Sequence, residues 1–285
     1  MAESIGAFQV LGELGKGAHS TIYHIRRHSD DRQFALKVVP IEDAEDQKFR
    51  EQAEHEHRVA NLLDHPNLIK VHALEYQRDW FFRVKKVHLL IEYVNGKTLD
   101  NMQGLTMPRL VQIFERIDEG LMHMHRRNVY HADLKPNNIM LSKAGKVKIL
   151  DFGLAWIKGE GKDRVQGTPE YMAPEQSKNS QVNERTDIYN FGATMYRLTT
   201  WKLPPSTVPT KGGPALDAKT FANMLKPVKE LAPKAPTKLC DLIERSLAFH
   251  PNKRPERVSD IVTELKELVE KLVKTDDDTL DAMGW

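Results

Sequence analysis

Apolar residues recur along this chain with two different periods, and the change from one to the other marks its organisation. Residues 8–14 alternate between apolar and other side chains, and the alternation resumes over 21–26 after the turn Gly15-Lys16-Gly17-Ala18-His19-Ser20, so the chain opens with two predicted strands. A third strand over 34–39 places Ala35 and Lys37 on one face and Leu36 and Val38 on the other. The period then lengthens. Between 43 and 63, Phe49, Ala53, Val59, Ala60 and Leu63 form a helical stripe, and Glu56 falls inside that stripe while Glu54 points elsewhere. Strands over 68–76 and 84–93 follow, joined by a turn carrying Trp80, Phe81 and Phe82, aromatics expected to pack back on the sheet, with a partner-docking patch as the alternative.

Past Asn95 and Gly96, which mark a domain boundary, helices dominate. Leu110, Phe114, Ile117, Leu121 and Met124 recur at four-three-four-three spacing and predict one long helix. Short strands over 139–141 and 147–150 flank a polar turn. Asp187-Ile188-Tyr189-Asn190-Phe191-Gly192 opens a helix that is apolar on almost every side and belongs at the centre of its domain. Residues 204–236 hold seven of the fifteen prolines, which predicts loops with a short helix around 220–225. A final amphipathic helix over 258–273 presents Ile261, Leu265, Leu268 and Leu272; barely two heptads long, it suits packing in a core better than a coiled coil. The acidic stretch 274–285 is expected to be mobile, and nothing supports a docking role for Trp285.

Composition narrows the function classes. Lys and Arg number 42 against 40 Asp and Glu, a net charge of +2, which gives no electrostatic reason to expect nucleic acid or an anionic membrane as a partner. The single Cys240 cannot form an intramolecular disulfide and reads as a small core residue in a reducing compartment. No apolar run is long enough to span a bilayer and no signal pattern opens the chain, so a cytoplasmic location is expected, for this chain or for the piece of a longer protein that it represents. His55 and His57 stand two apart on a helix and make a poor metal pair.

The chemistry concentrates in Tyr130-His131-Ala132-Asp133-Leu134-Lys135-Pro136-Asn137-Asn138, between the long helix and a short strand. Asp133 can accept a proton, Lys135 brings a positive charge two residues on, and Asn138 offers an amide oxygen. Thirteen residues after Asn138 comes Asp151-Phe152-Gly153 at a strand end. A charge such as Lys37 in an apolar strand wants a partner, and a carboxylate on a buried helical face must be paired, so Glu56 is the partner expected for Lys37. A Rossmann reading of the glycine turn is disfavoured, because a strand and not a helix follows it.

These stretches together resemble protein kinases of the serine/threonine branch, over residues 8 to 273. The resemblance implies an α+β fold: a small antiparallel lobe with one helix over 1–94 and a larger helical lobe over 95–273. It implies ATP held by Leu14, Gly15, Lys16, Gly17, Ala18, His19, Ser20, Thr21 and Ile22 of the glycine-rich turn, by Ala35 and Lys37, and by Ile91, Glu92 and Val94 of a hinge. Asp133, Lys135, Lys37 and Glu56 would be catalytic, and Asn138 and Asp151 would hold Mg²⁺, with Mn²⁺ as a substitute. The substrate would be a protein Ser or Thr hydroxyl. Gly167 to Glu175 resembles the end of an activation segment, and the resemblance pairs Glu175 with Arg254 and assigns Asp187 to the backbone of the catalytic loop.

Two departures bear on regulation. The family usually has Arg where this chain has Ala132, and in many kinases that Arg binds a phosphate on the activation loop. From Phe152 to Gln166 there is also no Ser, Thr or Tyr. The expectation is an enzyme that works without activation-loop phosphorylation, with regulation by a partner protein left open. Ser20, in place of a third glycine, and Ala132 are the only support for the alternative, a pseudokinase scaffold.

Overall fold

The computed structural model describes residues 4–17, 19–160, 166–179, 182–208 and 216–282. Two compact units divide the chain, one of residues 1–96 with 150–153 and one of 97–149 with 154–285. The expected boundary after residue 94 thus falls two residues later, and Leu150–Gly153 groups with the first unit.

The first unit contains β1 (Ser4–Ile5), β2 (Phe8–Gly17), β3 (Ser20–Arg27), β4 (Gln33–Pro40), α1 (Gln47–Ala60), β5 (Val71–Arg78) and β6 (Val84–Glu92). The strands form one antiparallel sheet in the order β1-β2-β3-β4-β6-β5. Alternation along β4 does what the sequence predicts: Phe34 and Leu36 join Ile25 in an apolar cluster against Phe8, Val10, Tyr23, Val38 and Leu90, while Lys37, in register with Leu89, turns to the other face. Register shifts at Val10/Gly12 and Glu13/Gly15 break the alternation of β2, and Leu11 and Leu14 are exposed as a result. Helix α1 begins only at Gln47, because Asp43 and Asp46 accept backbone N–H groups of the preceding loop. Its buried face is Ala53, Glu56, Val59 and Ala60.

In the second unit, β7 (Gly96–Thr98), at its boundary, extends the hairpin of β9 (Ile139–Ser142) and β10 (Val147–Ile149). Helix α2 (Met107–His125), capped by Thr106, leads to β8 (Val129–Tyr130), which pairs with β11 (Trp156–Ile157). Then come α3 (Pro174–Asn179), α4 (Glu184–Thr200), α5 (Ala218–Met224), α6 (Val228–Leu231), α7 (Thr237–Ser246) and α8 (Val258–Ala282). Helix α4 starts at a capping box of Asn183 and Thr186 and is buried almost throughout. Gly192 allows α7 to approach it, since a Cβ there would lie 2.8 Å from Ser246 Cβ. Cys240 is buried in α7, as expected. Helix α8 continues past its expected end at 273 to Ala282; no Gly or Pro interrupts the sequence before Gly284, so the acidic stretch extends the helix. Ala18, 161–165 of the acceptor-free segment, 209–215 of the proline-rich region, and Trp285 lie outside the described residues. No helix among the described residues is long and apolar enough to cross a membrane.

Candidate active site

In the first unit, the predicted pairing of strand and helix is present. Lys37 Nζ donates to Glu56 Oε2 at 2.6 Å, with the Glu56 side chain 3% exposed. Glu54, one step around the helix, faces outward and binds Arg50 and the Tyr76 hydroxyl. Burial works against both charges of the Lys37–Glu56 pair, but the Glu56 and Asp151 carboxylates outweigh it and hold the Lys37 ammonium above its ordinary value. Lys37 and Asp151 line a cavity of about 180 Å³ together with Gly17, His19, Ser20, Val39, Phe49, Gln52 and Ala53. Asp151 sits at φ +60° and its Oδ1 accepts the Gly153 N–H at 3.1 Å.

The glycine turn is the tip of the β2–β3 hairpin, paired down to Gly17 and Ser20, with Lys16 opposite Thr21 and Gly15 opposite Ile22. A Cβ on Gly17 would meet Ser20 Oγ at 2.8 Å, so a larger residue there would require the Ser20 hydroxyl to turn away. His19, treated in the sequence as part of the turn, stacks on Phe49 of α1 with ring centroids 3.6 Å apart. At the other end of the sheet Ala35 lies in register with Ile91. The Glu92 N–H donates to Lys70 O at 2.8 Å. Val94 follows β6 and is half-buried.

The second unit builds the loop that carries Asp133. Asp187, wholly buried in α4, accepts the backbone N–H of His131 and of Ala132, each at 2.8 Å. These two bonds hold Ala132 at φ +63°, a left-handed conformation that costs a residue with a Cβ about 1–2 kcal/mol. His125 Nε2 donates to Asp187 Oδ2, the oxygen that also accepts the His131 N–H, at 2.7 Å. His125 Nδ1 is 3.4 Å from Glu184 Oε1, an ion-pair distance without hydrogen-bond geometry. Burial would lower the His125 imidazolium, but Asp187 and Glu184 prevail and push it up to about 9.

The Asp133 carboxylate is held at both oxygens: Oδ1 accepts the Thr168 N–H at 2.8 Å and Oδ2 accepts Lys135 Nζ at 2.8 Å. Lys135 Nζ also donates to Thr168 Oγ1. Asn138 Nδ2 donates to Asp133 O at 2.9 Å, which commits its nitrogen and leaves its oxygen for a cation. An amide oxygen in the second unit and the Asp151 carboxylate in the first are each a donor type that a hard divalent cation such as Mg²⁺ takes. Among the described residues no cluster of three His, Cys, Asp or Glu suits a metal. Arg254 forks onto Glu175 at 2.7 and 2.9 Å, as the resemblance implied.

The sequence missed Gln176. Fully buried, its Nε2 donates to Ala132 O at 2.7 Å and to Gln166 O at 3.1 Å, tying the catalytic loop to the segment before Thr168. No periodicity could have singled it out, since a polar residue in the first turns of a helix is ordinarily solvated.

Comparison with known proteins agrees with this geometry. The protein kinase domain matches residues 8–276, and the chain belongs to that family. It is 26% identical over 269 residues to serine/threonine-protein kinase PrkC of Bacillus subtilis, covering 92% of this chain and 40% of that protein. It is 32% identical over 213 residues to serine/threonine-protein kinase pkn3 of Myxococcus xanthus, covering 69% of this chain and 38% of that protein. Aurora kinase C of Mus musculus is 26% identical over 260 residues, 88% of each chain. The chain thus spans between a quarter and about two fifths of the length of the curated bacterial relatives it matches.

Proposed function

We propose that this chain is a protein serine/threonine kinase that transfers the γ-phosphoryl group of ATP to Ser or Thr hydroxyls of protein substrates, and that it does so without activation-loop phosphorylation. The observation that carries the reading is the Asp133–Lys135–Thr168 constellation, whose three members are joined by hydrogen bonds. Asp133 orients the acceptor hydroxyl and takes its proton as the oxygen attacks in line. Lys135 offsets the charge of the transferred group. Lys37, held in place by Glu56, binds phosphate oxygens; the backbone of the Gly15–Ser20 turn lies over them, and Ala35, Ile91 and the backbone of Glu92 and Val94 take the adenine. Asn138 and Asp151 would hold Mg²⁺, which supplies charge neutralisation at the phosphates when bound.

Independence from loop phosphorylation is supported by the way the Gln166–Glu175 segment is fastened. Gln176 binds Gln166 O, Asn190 donates to Tyr171 O at 2.7 Å, and Thr207 donates to Met172 O at 2.8 Å. Uncharged hydrogen bonds do here what an Arg–phosphate pair does elsewhere.

Transfer of labelled phosphate from ATP to the chain and to a generic protein substrate tests the reading, with Asp133→Asn as control. Mg²⁺-dependent label that survives phosphatase pretreatment and vanishes in Asp133→Asn is expected. If neither protein is labelled although both bind ATP, the chain is a pseudokinase scaffold; if phosphatase abolishes activity and a phosphate maps to Thr168, independence from loop phosphorylation is wrong.

A further inference from the structure

Trp80, Phe81 and Phe82 do not pack on the sheet as their sequence suggested: they are 84%, 65% and 81% exposed at the tip of the β5–β6 hairpin. The tip is rigidly built. Asp79 Oδ1 accepts the N–H groups of Phe81 and Arg83, both at 2.9 Å, the Asp79 N–H donates to Arg83 O at 2.9 Å, and Arg78 Nη1 donates to Phe82 O at 2.9 Å. Phe82 stands at φ +61°, a hairpin position that turn chemistry gives to Gly or Asn. Folding alone therefore disfavours an aromatic there, and water disfavours its exposure.

The flanks are cationic. Arg78, Lys85 and Lys86 on the two strands and Arg83 in the turn lie within four residues of the aromatics, and among the described residues none of the four is in a salt bridge. Arg83 lies over the Phe81 ring. The one carboxylate of the tip, Asp79, is turned inward to the backbone. Adjacent Trp and Phe side chains on a convex tip, ringed by cations, match a bilayer interface, where indole sits at headgroup depth and Lys or Arg meets anionic lipid.

We propose that the β5–β6 tip is an interfacial anchor that seats this chain on membranes carrying anionic headgroups. The inference goes beyond phosphoryl transfer and does not depend on it, so the test uses the Asp133→Asn chain and reads no activity. Sedimentation with phosphatidylcholine vesicles, with and without phosphatidylserine, is measured for that chain, for the added triple change Trp80→Ser, Phe81→Ser, Phe82→Ser, and for Arg83→Gln, Lys85→Gln, Lys86→Gln. The side chains changed are at the surface, and circular dichroism confirms folding. Binding to the anionic vesicles is expected to exceed that to neutral ones, to fall at least about tenfold in the aromatic variant, and to fall about fivefold per cation removed. Indole emission of the parent chain should shift to the blue on anionic vesicles and lose that shift with Trp80→Ser. Equal binding to neutral and anionic vesicles, no binding, or unchanged binding of the aromatic variant overturns the proposal. So does self-association of the parent chain that the aromatic variant abolishes while vesicles are ignored, since the tip would then be a protein contact.

Discussion

Replacing His125 by Gln should remove a specific pH dependence of stability. The His125 side chain is 5% exposed and faces Asp187, Glu184 and the buried Asp118 carboxyl, with the Tyr130 ring 5.2 Å away. Its imidazolium is pushed from 6.5 up to about 9, and Asp187 is correspondingly lowered despite its burial; these are two views of one ion pair and are counted once. Because the folded value lies above the unfolded one, the folded state holds the proton longer. The pair's contribution is complete below 6.5 and is lost as pH rises through about 9. The size of the displacement corresponds to about 3 kcal/mol, and with so little exposure solvent screening reduces it little.

Urea unfolding at about pH 6 and about pH 9.5, on wild type and His125→Gln, reads the effect as a difference between the two chains. Wild type should lose about 3 kcal/mol more than the variant across that interval, or about 6 °C in melting temperature for a chain of this size. Other groups titrating in the same range act on both chains and cancel. Equal pH slopes would refute the reasoning, as would a ring-proton resonance of His125 that titrates near 6.5.

Further outcomes follow from other buried groups. Asp118 is fully buried with neither oxygen hydrogen-bonded, and burial raises its carboxyl well above 3.8, so its contribution is retained below that value and lost as pH rises; Asp118→Asn should raise the melting temperature by the equivalent of about 1–2 kcal/mol, more at pH 8 than at pH 5. Arg254 holds Glu175 and the carbonyls of Ala248, Arg185 and Phe249, and Arg254→Met should cost about 3–5 kcal/mol in urea unfolding by stranding a carboxylate. Glu56→Gln keeps the shape of the Lys37 contact and removes its charge, and should lower kcat/KM for phosphoryl transfer by about 10²-fold with little change in melting temperature.

What could be read in advance depended on whether a residue's role is periodic. Glu56 was legible because a carboxylate on an apolar helical stripe requires a partner, and Lys37 was the charge on the facing strand surface. The strands of the first unit were legible for the same reason, apart from β2, where two register shifts move Leu11 and Leu14 to the outside. Trp80, Phe81 and Phe82 were misread because an aromatic run at a turn has no period, and its fate depends on how far the hairpin reaches beyond the sheet. Gln176 was invisible, since it matters through contacts with residues distant in sequence. Asp187 came from family resemblance; helical periodicity marked its helix as buried but said nothing of the two N–H groups it holds.

The substitution at Ala132 gains a physical reading from its surroundings. The side chain is 1% exposed and packs with Tyr130 and Val182, with Trp156 stacked on Tyr130 at 5.7 Å. An Arg pointing into that apolar cluster would bury a charge among groups that cannot pair with it. The shape of the loop does not need the side chain. Two hydrogen bonds to a carboxylate, at about 1.5–3 kcal/mol each, outweigh the about 1–2 kcal/mol cost of a left-handed alanine, and they are made by the backbone at His131 and Ala132. Its carbonyl in turn anchors Gln176, so the main chain at 132 links α4 to the segment that positions Thr168. Under the proposed independence from loop phosphorylation, the absence of Arg at this position and the absence of a phosphate acceptor between 152 and 166 belong together: a neutral contact made in folding would stand where a charged, switchable one is usual.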